Sequence, residues 1–306
     1  MSSSWLSLLL EQNSFDPRVR LELGQQLLNE LLNNQRLPSD SKALNDYCDV
    51  LFQWLSGSNF KVSLLSLEIL QVSLDVSGDV ITPYLLERIT QLVERLGDTK
   101  PQVRESATYL LLDLANAPCS SHTAVLERIS PGFQHKQYLV RIGTMNVFLR
   151  LIDESREELE VQTNHLIPTF CKLMSDPHAD VREAAIGTLA HTMLIYGDDV
   201  CNNIRNRRLI PDNKMQLLTQ QYENDLRLSS CPSMAPRPVR PVRRFERHAV
   251  LHRNGNHLIR MFSVCTLLLG IRPCTRHPVP GQWRFHDEEA SVASVSLLRT
   301  PEDRFC

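Results

Sequence analysis

Gly97–Arg104, which reads GDTKPQVR, is the stretch of sequence that decides the fold. Ser175–Arg182, which reads SDPHADVR, repeats its layout, because in both an aspartate stands five residues before a Val-Arg pair. Each copy lies between two apolar patterns of helical period, which is typical of the turn inside a repeated helix pair. Looser copies lie at 14–20, 57–62 and 135–141, and the anchoring valines stand at 19, 62, 103, 140 and 181.

The distances between these valines give the period of the repeat. They are 43, 41, 37 and 41 residues. A period near 40 with two helices per unit indicates HEAT repeats, since a tetratricopeptide unit has only about 34 residues. We therefore predict an all-α protein, with an α-solenoid of six HEAT repeats over residues 1–229. The predicted helix pairs are 1–11 with 17–33, 43–56 with 60–76, 83–96 with 101–115, 122–129 with 137–152, 159–174 with 179–196, and 199–206 with 212–226.

The composition allows a large buried core. Of 306 residues, 42% are apolar and 22% are charged, close to the globular average. The eight cysteines are scattered, which favours reduced thiols in a cytosolic protein over a disulfide framework. Residues 6–10 are too short and lack the cationic flank of a signal peptide, and the longest apolar run, 261–271, is too short to span a bilayer. We expect a soluble protein without membrane contact.

The net charge of −2 conceals two segments of opposite sign. Residues 1–229 carry 21 lysines and arginines against 29 acids, a net of −8, whereas residues 230–306 carry 12 arginines against 6 acids, a net of +6. Residues 231–247 read CPSMAPRPVRPVRRFER, a composition that cannot continue a helix. We predict that residues 230–306 form a basic, mostly disordered tail. The arginines that either attract an acidic partner or have no role there are Arg237, Arg240, Arg243, Arg244 and Arg247.

No catalytic or cofactor motif stands out. The sequence has no GxxxxGK[ST] loop, no GxGxxG after a strand, no HExxH and no GxSxG. Cys265, Cys274, His277 and His286 are separated by eight, two and eight residues, unlike the closely paired ligands of structural zinc sites. We therefore expect neither an enzyme nor a bound cofactor or metal ion.

The turns themselves are the candidate binding site. In a HEAT stack the turns inside successive repeats align along one edge, and binding residues tend to lie on such loops of a rigid scaffold. Cations along that edge, on a segment with a net charge of −8, suit an acidic protein partner. We expect no nucleic-acid partner, since the sequence contains no nucleic-acid reading module. The candidate binding residues are Arg18, Asn59, Phe60, Lys61, Lys100, Gln102, His135, Lys136 and His178.

Some side chains in these turns have a structural alternative. Asp98, Arg104, Asp176 and Arg182 stand where HEAT arrays often carry an Asp–Arg ladder between repeats, so we expect them to stabilise the stack. Phe60 either anchors an interface from an exposed turn or packs back under that turn. The turn lysines are either binding residues or solvated surface.

Four of these stretches, taken together, resemble the amino-terminal TOG domain of the CLASP family of microtubule plus-end regulators. They fall at the turns of successive repeats and in the family's order: WLSGSNFKV at 54–62, LVERLGDTKPQVRE at 92–105, GFQHKQYLVR at 132–141 and IPTFCKLMSDPHADVREAAI at 167–186. The resemblance covers residues 1–228. It implies a paddle of six HEAT repeats whose turn edge engages αβ-tubulin.

The resemblance also implies a cellular role. CLASP proteins stabilise microtubules by suppressing catastrophe and promoting rescue, and they act in the cytoplasm at plus ends, kinetochores and the spindle. Plus-end or kinetochore adaptor proteins are the further partners that it implies. The alternative is a generic HEAT scaffold, which binds phosphatase subunits or transport cargo on its concave face without binding tubulin.

The chain departs from the family's pattern in two places. Tubulin-polymerase TOG domains carry a tryptophan in the first turn, whereas this turn reads SFDPR at 14–18, and Trp54 is expected in the core. The family continues into Ser/Arg-rich linkers and further TOG domains, whereas here an Arg/Pro segment follows. In this respect the chain resembles a truncated or alternative product.

Overall fold

The structure, a computed structural model, describes residues 15–34, 37 and 40–230. Within those residues the chain is helical and forms no strand. The helices are Pro17–Asn34 (α1), Ser41–Leu55 (α2), Phe60–Glu87 (α3), Ile89–Arg95 (α4), Pro101–Ala115 (α5), His122–Ile129 (α6), Tyr138–Glu154 (α7), Arg156–Leu173 (α8), Ala179–Tyr196 (α9), Asp198–Asn206 (α10) and Asp212–Ser230 (α11), with a 3-10 helix at Ser130–Gln134 between α6 and α7.

The predicted all-α HEAT solenoid is confirmed. The second helices of successive repeats (α1, α3, α5, α7, α9 and α11) each pack on the next and form one layer. The first helices α4, α6, α8 and α10 pack in the same succession and form the other layer. The first helix predicted for repeat one, at 1–11, lies outside the described residues. So does the predicted tail from residue 231 onward, and the domain boundary at 229 stays a prediction.

Helix α3 differs from the prediction. The sequence predicts separate helices at 60–76 and 83–96, but α3 continues to Glu87 through one non-helical residue, Ser77 (φ −146°, ψ 42°), and α4 follows after Arg88. A Ser-Gly pair is a usual site for a kink. The Ser77 hydroxyl accepts a hydrogen bond from the Leu37 amide at 3.2 Å, and Gly78 lies under Pro118 of the following repeat, where an added Cβ would be 3.2 Å from the proline ring. The kink therefore depends on neighbouring repeats.

The core fills the space between the two helix layers. Phe133, Phe148 and Phe170 form an aromatic cluster in repeats four and five, with ring centroids 4.9–6.3 Å apart. All three are fully buried, and each such side chain contributes about 1.5–3 kcal/mol by leaving water. Trp54 is also fully buried, as predicted.

The buried cysteines belong to this core. Burial raises the pKa of the Cys48 thiol to about 12 and that of the Cys171 thiol to about 11, so both are neutral packing groups. Among the helices that the structure describes, none combines the length and the apolar character that crossing a membrane requires.

Candidate functional site

The turns inside the repeats share one hydrogen-bond plan. In each, a side chain accepts a hydrogen bond from the backbone N–H two residues later, which satisfies an amide that the following helix leaves open. The geometry repeats from repeat one to repeat five, so the turns have the same shape. The five bonds are Arg18 N–H to Asp16 Oδ1 (2.8 Å), Lys61 N–H to Asn59 Oδ1 (3.0 Å), Lys100 N–H to Asp98 Oδ1 (2.8 Å), Gln137 N–H to His135 Nδ1 (3.1 Å) and His178 N–H to Asp176 Oδ1 (2.9 Å).

An arginine closes three of these turns. Arg104, Arg141 and Arg182 each donate from Nη1 to the two backbone carbonyls that stand six and five residues earlier. The distances are 2.8 and 3.3 Å for Arg104, 2.6 and 3.2 Å for Arg141, and 2.9 and 3.0 Å for Arg182. These guanidinium groups stabilise the turns.

The predicted Asp–Arg ladder assigned the wrong residues as partners. Arg104 and Arg182 bind carbonyls of their own turns and are not rungs between repeats. The rung that the structure contains joins Arg141 of repeat four to Asp176 of repeat five, at 2.9 Å and with both side chains largely buried. Asp98 instead faces Arg95 of its own repeat, at 3.6 Å.

Each turn also touches the next one, so that the turns form a continuous row that we name the turn edge. The Lys100 ammonium lies 5.3 Å from the centroid of the Phe60 ring, and the His178 ring stacks on the Tyr138 ring at 3.7 Å. These two contacts link turn two to three and turn four to five. The remaining links are the Arg20 guanidinium of turn one over the ring of Trp54, at the end of α2 (6.0 Å), the Gln137 Nε2 bond to the Gly97 carbonyl (2.6 Å), and the bond from Lys214 Nζ to Ser175 Oγ.

Gly97, the first residue of the stretch that decides the fold, makes the link between turns three and four possible. A Cβ atom added there would be 2.5 Å from a methyl group of Val140 and 2.8 Å from the Gln137 amide. Both belong to repeat four. The position therefore excludes any larger side chain without a shift of the next repeat.

All nine predicted binding residues lie on the turn edge. Asn59 and His135 use a side-chain atom to accept a turn amide, and His178 is stacked on Tyr138. Phe60 is half-buried, with part of its ring against the core and part beneath Lys100, so both alternatives for it apply in part. The exposed members are Arg18, Lys61, Lys100, Gln102 and Lys136.

The exposed tips of this edge are mainly cationic. The turn aspartates Asp16, Asp98 and Asp176 accept backbone amides, so part of their hydrogen-bonding capacity is used within the fold. The chain has six lysines, and five of them lie in or beside the intra-repeat turns, the exception being Lys42 at the start of α2. The edge therefore presents a positive row on an acidic segment.

Two features of the edge were not predicted. Phe15 in the first turn is 82% exposed, although the sequence indicates only that no tryptophan is there. The last turn of α10 and the loop that leads to α11 form a sixth turn with three exposed arginines, at 205, 207 and 208. The string RNRR at 205–208 is the signal for the second feature, but this turn lacks the Asp and Val-Arg pattern of the others.

The described residues hold no cluster of three His, Cys, Asp or Glu side chains that could bind a metal ion. The loosely spaced Cys265, Cys274, His277 and His286 lie outside those residues.

Comparison with curated proteins relates the chain to the CLASP-1 proteins. The CLASP-1 protein of Caenorhabditis elegans is 38% identical over 252 residues, which is 79% of this chain and 18% of that protein. The chain thus spans less than a fifth of the curated relatives that it matches first, 17% and 18% of their lengths. A family model described as the EF3 N-terminal HEAT repeat matches residues 61–189.

Solved structures of related domains have the same fold as this chain. The crystal structure of the MAST/Orbit N-terminal domain superposes with a TM-score of 0.64 at 27% identity, covering 71% of this chain and 96% of that one. A structure described by TOG–tubulin binding specificity shares the fold, with a TM-score of 0.53 and 18% identity over 72% of this chain and 87% of that one. The prediction that the chain is not an enzyme agrees with its relatives, which are CLASP and TOG-domain proteins.

Proposed function

This chain is a homologue of the CLASP-1 proteins with the fold of a TOG domain, and from that premise we propose that its turn edge binds tubulin in microtubules. One observation carries the proposal. The intra-repeat turns form a continuous row, and their exposed tips are Arg18, Lys61, Lys100, Gln102 and Lys136. A continuous row of exposed cations suits a large, acidic protein surface, such as that of tubulin.

The energetics of such an edge come from many small terms. An exposed ion pair contributes only about 0–1 kcal/mol, so no single lysine accounts for binding. A row of cations steers an acidic partner and raises the association rate, an effect that salt weakens. Phe60 is the central anchor because its ring is partly buried and Lys100 lies over it, so that the two present one joined surface.

The rigidity of the turns supports the same function. Hydrogen bonds from backbone amides fix turns one to five, and arginine side chains also close turns three to five, before a partner arrives, so little ordering entropy is lost on binding. We extend the proposal to the cellular role of the family: stabilisation of microtubules by suppression of catastrophe and promotion of rescue, at plus ends, kinetochores and the spindle. Adaptor proteins at those places and a cytoplasmic, microtubule-associated location belong to the same proposal.

Cosedimentation of the full chain with stabilised microtubules, across a salt series, tests the function. We expect wild-type protein to pellet at low salt and to be released as salt rises. A Phe60→Ala/Lys100→Ala/Lys136→Ala variant should pellet at least about tenfold less, because it loses the anchor and two cations.

A matched control variant is Val161→Ala/Lys42→Ala/Arg156→Ala. It removes one exposed apolar residue and two exposed cations away from the turn edge, and it should pellet like the wild type. If wild-type protein stays in the supernatant at low salt, microtubule binding by this chain fails and the generic scaffold remains. If both variants pellet equally, the turn edge is not the site.

A further inference from the structure

The sixth turn, between α10 and α11, carries a compact group of cations that the proposed site does not use. Arg205, Arg207 and Arg208 are all exposed. Among the residues that the structure describes, none of the three forms an ion pair, and the Arg207 side chain donates one long hydrogen bond, to Asn203 Oδ1 at 3.4 Å. Three guanidinium groups within four positions repel one another unless an anion lies between them. The group therefore has unused capacity for an acidic ligand.

The backbone of this turn is strained at one of the three arginines. The end of α10 forms a Schellman motif, with Leu209 N–H bonded to the Ile204 carbonyl at 3.1 Å and Arg208 N–H bonded to the Arg205 carbonyl at 3.0 Å. Arg208 has φ +49°, in the left-handed position that glycine usually occupies. A guanidinium thus stands where glycine would fold with less strain, and strained residues of this kind cluster at functional sites.

The sixth turn continues the turn edge by one repeat. The Lys214 ammonium, two residues into α11, hydrogen-bonds the Ser175 hydroxyl of turn five. Lys172, in the last turn of α8, is exposed on the helix that leads into turn five. A partner bound along turns one to five therefore lies close to the arginines of turn six.

The chemistry of this turn selects among partners. Residues 204–214, IRNRRLIPDNK, include no aromatic side chain on which a base could stack, and Leu209 and Ile210 pack against the core. Guanidinium groups pair in a fork with carboxylates, and arginine does this better than lysine. An extended peptide rich in glutamate therefore fits three such exposed groups.

We propose that the sixth turn binds the flexible, acidic carboxyl-terminal tail of a tubulin subunit while turns one to five bind its folded surface. This inference rests on the proposed function, because the tail reaches the turn only when the rest of the edge is engaged. The carboxylates of Asp212 and Glu223 line the same shallow depression as Arg205 but pair with none of the three arginines, so the tail does not have to displace an internal ion pair.

The test compares intact microtubules with microtubules whose acidic tails have been removed by subtilisin. We expect wild-type full chain to bind intact microtubules about five- to tenfold more tightly, as two or three exposed ion pairs would give. An Arg205→Gln/Arg207→Gln/Arg208→Gly variant should bind both kinds equally, at the wild-type level for tail-free microtubules. Equal preference for intact microtubules by this variant and the wild type would overturn the inference.

Two controls keep the result specific. The Arg208→Gly change relieves the left-handed strain, so the variant should melt at or above the wild-type temperature, which excludes misfolding as the cause of weaker binding. A labelled polyglutamate peptide should bind the wild type and not the variant. A charge-matched oligonucleotide or phosphatidylserine vesicle that binds better than polyglutamate contradicts the assigned partner. Failure of the wild type to pellet with either kind of microtubule would instead reject the proposed function itself.

Discussion

The two edges of the helical stack use their polar side chains differently. On the edge formed by the loops between repeats, side chains tie one repeat to the next. Asn116 donates to Glu154 at 3.0 Å, and the amide of Thr123 donates to Glu158 at 2.9 Å. His122 lies between the two glutamates, 3.6 Å from Glu154 and 3.4 Å from Glu158. We name this the inter-repeat edge.

On the turn edge, arginine guanidinium groups and capping side chains hold each turn to its own backbone, and contacts such as the stack of His178 on Tyr138 join neighbouring turns. The side-chain tips of Lys61, Lys100 and Lys136 remain exposed there. On the inter-repeat edge the exposed charges are largely acidic and include Glu157 and Asp198. The difference teaches that both edges join neighbouring repeats, whereas only the turn edge presents a row of exposed cations. Under the proposed function, the opposite signs of the two edges would orient the domain with its turn edge toward an acidic surface.

Loss of an arginine clamp is the largest expected effect on stability. Arg141→Ala removes two bonds to carbonyls and leaves the largely buried carboxylate of Asp176 without its ion pair. We expect a loss of about 2–4 kcal/mol in the free energy of unfolding, measured by urea denaturation. Lys136→Ala in the same turn should change stability by less than about 0.5 kcal/mol while weakening microtubule binding. Equal destabilisation by Arg141→Ala and Lys136→Ala would contradict the distinction between residues that stabilise the stack and residues that bind a partner.

Filling the space at Gly97 should have the second-largest effect on stability. In Gly97→Ala the new methyl group meets Val140 and Gln137 at under 3 Å, so repeat four must shift, at a cost of about 1–3 kcal/mol. Gly187, inside α9, is the control, because a Cβ there meets nothing within 4 Å. Gly187→Ala should stabilise the helix by about 0.5–1 kcal/mol. Calorimetric melting of both variants measures this, and a tolerated Gly97→Ala would refute the close contact between turns.

A double change on the inter-repeat edge should separate stability from binding. Asn116→Ala/Glu158→Gln removes the bond to Glu154 and weakens the bond from the Thr123 amide, the bond that holds the pKa of Glu158 below its usual value. We expect a loss of about 1 kcal/mol of stability and unchanged microtubule cosedimentation. A drop in cosedimentation at a temperature where the variant is folded would mean that this edge also binds.

The smallest effect concerns pH. His191 contacts Asp153 at 2.7 Å, and this hydrogen bond raises the pKa of the histidine above the ordinary value of 6.5. The resulting stability is fully present below pH 6.5, the unfolded value, and is lost as pH rises through the higher folded pKa. Because both groups are partly exposed, the contribution is a few tenths of a kcal/mol.

Asp153→Asn tests this dependence by urea denaturation at several pH values. The stability difference between wild type and variant should be largest near pH 6 and shrink toward pH 8. A stability difference that grows as pH rises would contradict the raised pKa of His191.

The sequence predicts what depends on neighbouring residues in the chain. The aspartate that accepts the amide two residues later and the valine that anchors the next helix are local features, so the stretch at 97–104 was enough to locate turns, period and edge. The kink at Ser77 was missed because Pro118 and Leu37, from other repeats, determine it.

Contacts between turns could not be predicted for the same reason. The Arg141–Asp176 pair and the stack of His178 on Tyr138 join residues 35 and 40 positions apart, and many other partners are equally compatible with the pattern. The exposure of Phe15 and the basic sixth turn follow no repeat signature at all. For the candidate site, the sequence therefore predicted the row of residues but not how neighbouring turns join.

Lysine reactivity is the most direct test of the central claim that the turn edge is the contact surface. Lys61, Lys100 and Lys136 lie on that edge, and Lys42 lies away from it, all four exposed. Acetylation of the full chain with and without microtubules, read by mass spectrometry, should show the three turn lysines becoming severalfold less reactive on binding while Lys42 is unchanged. Protection of Lys42 with no change at the turn lysines would contradict the account.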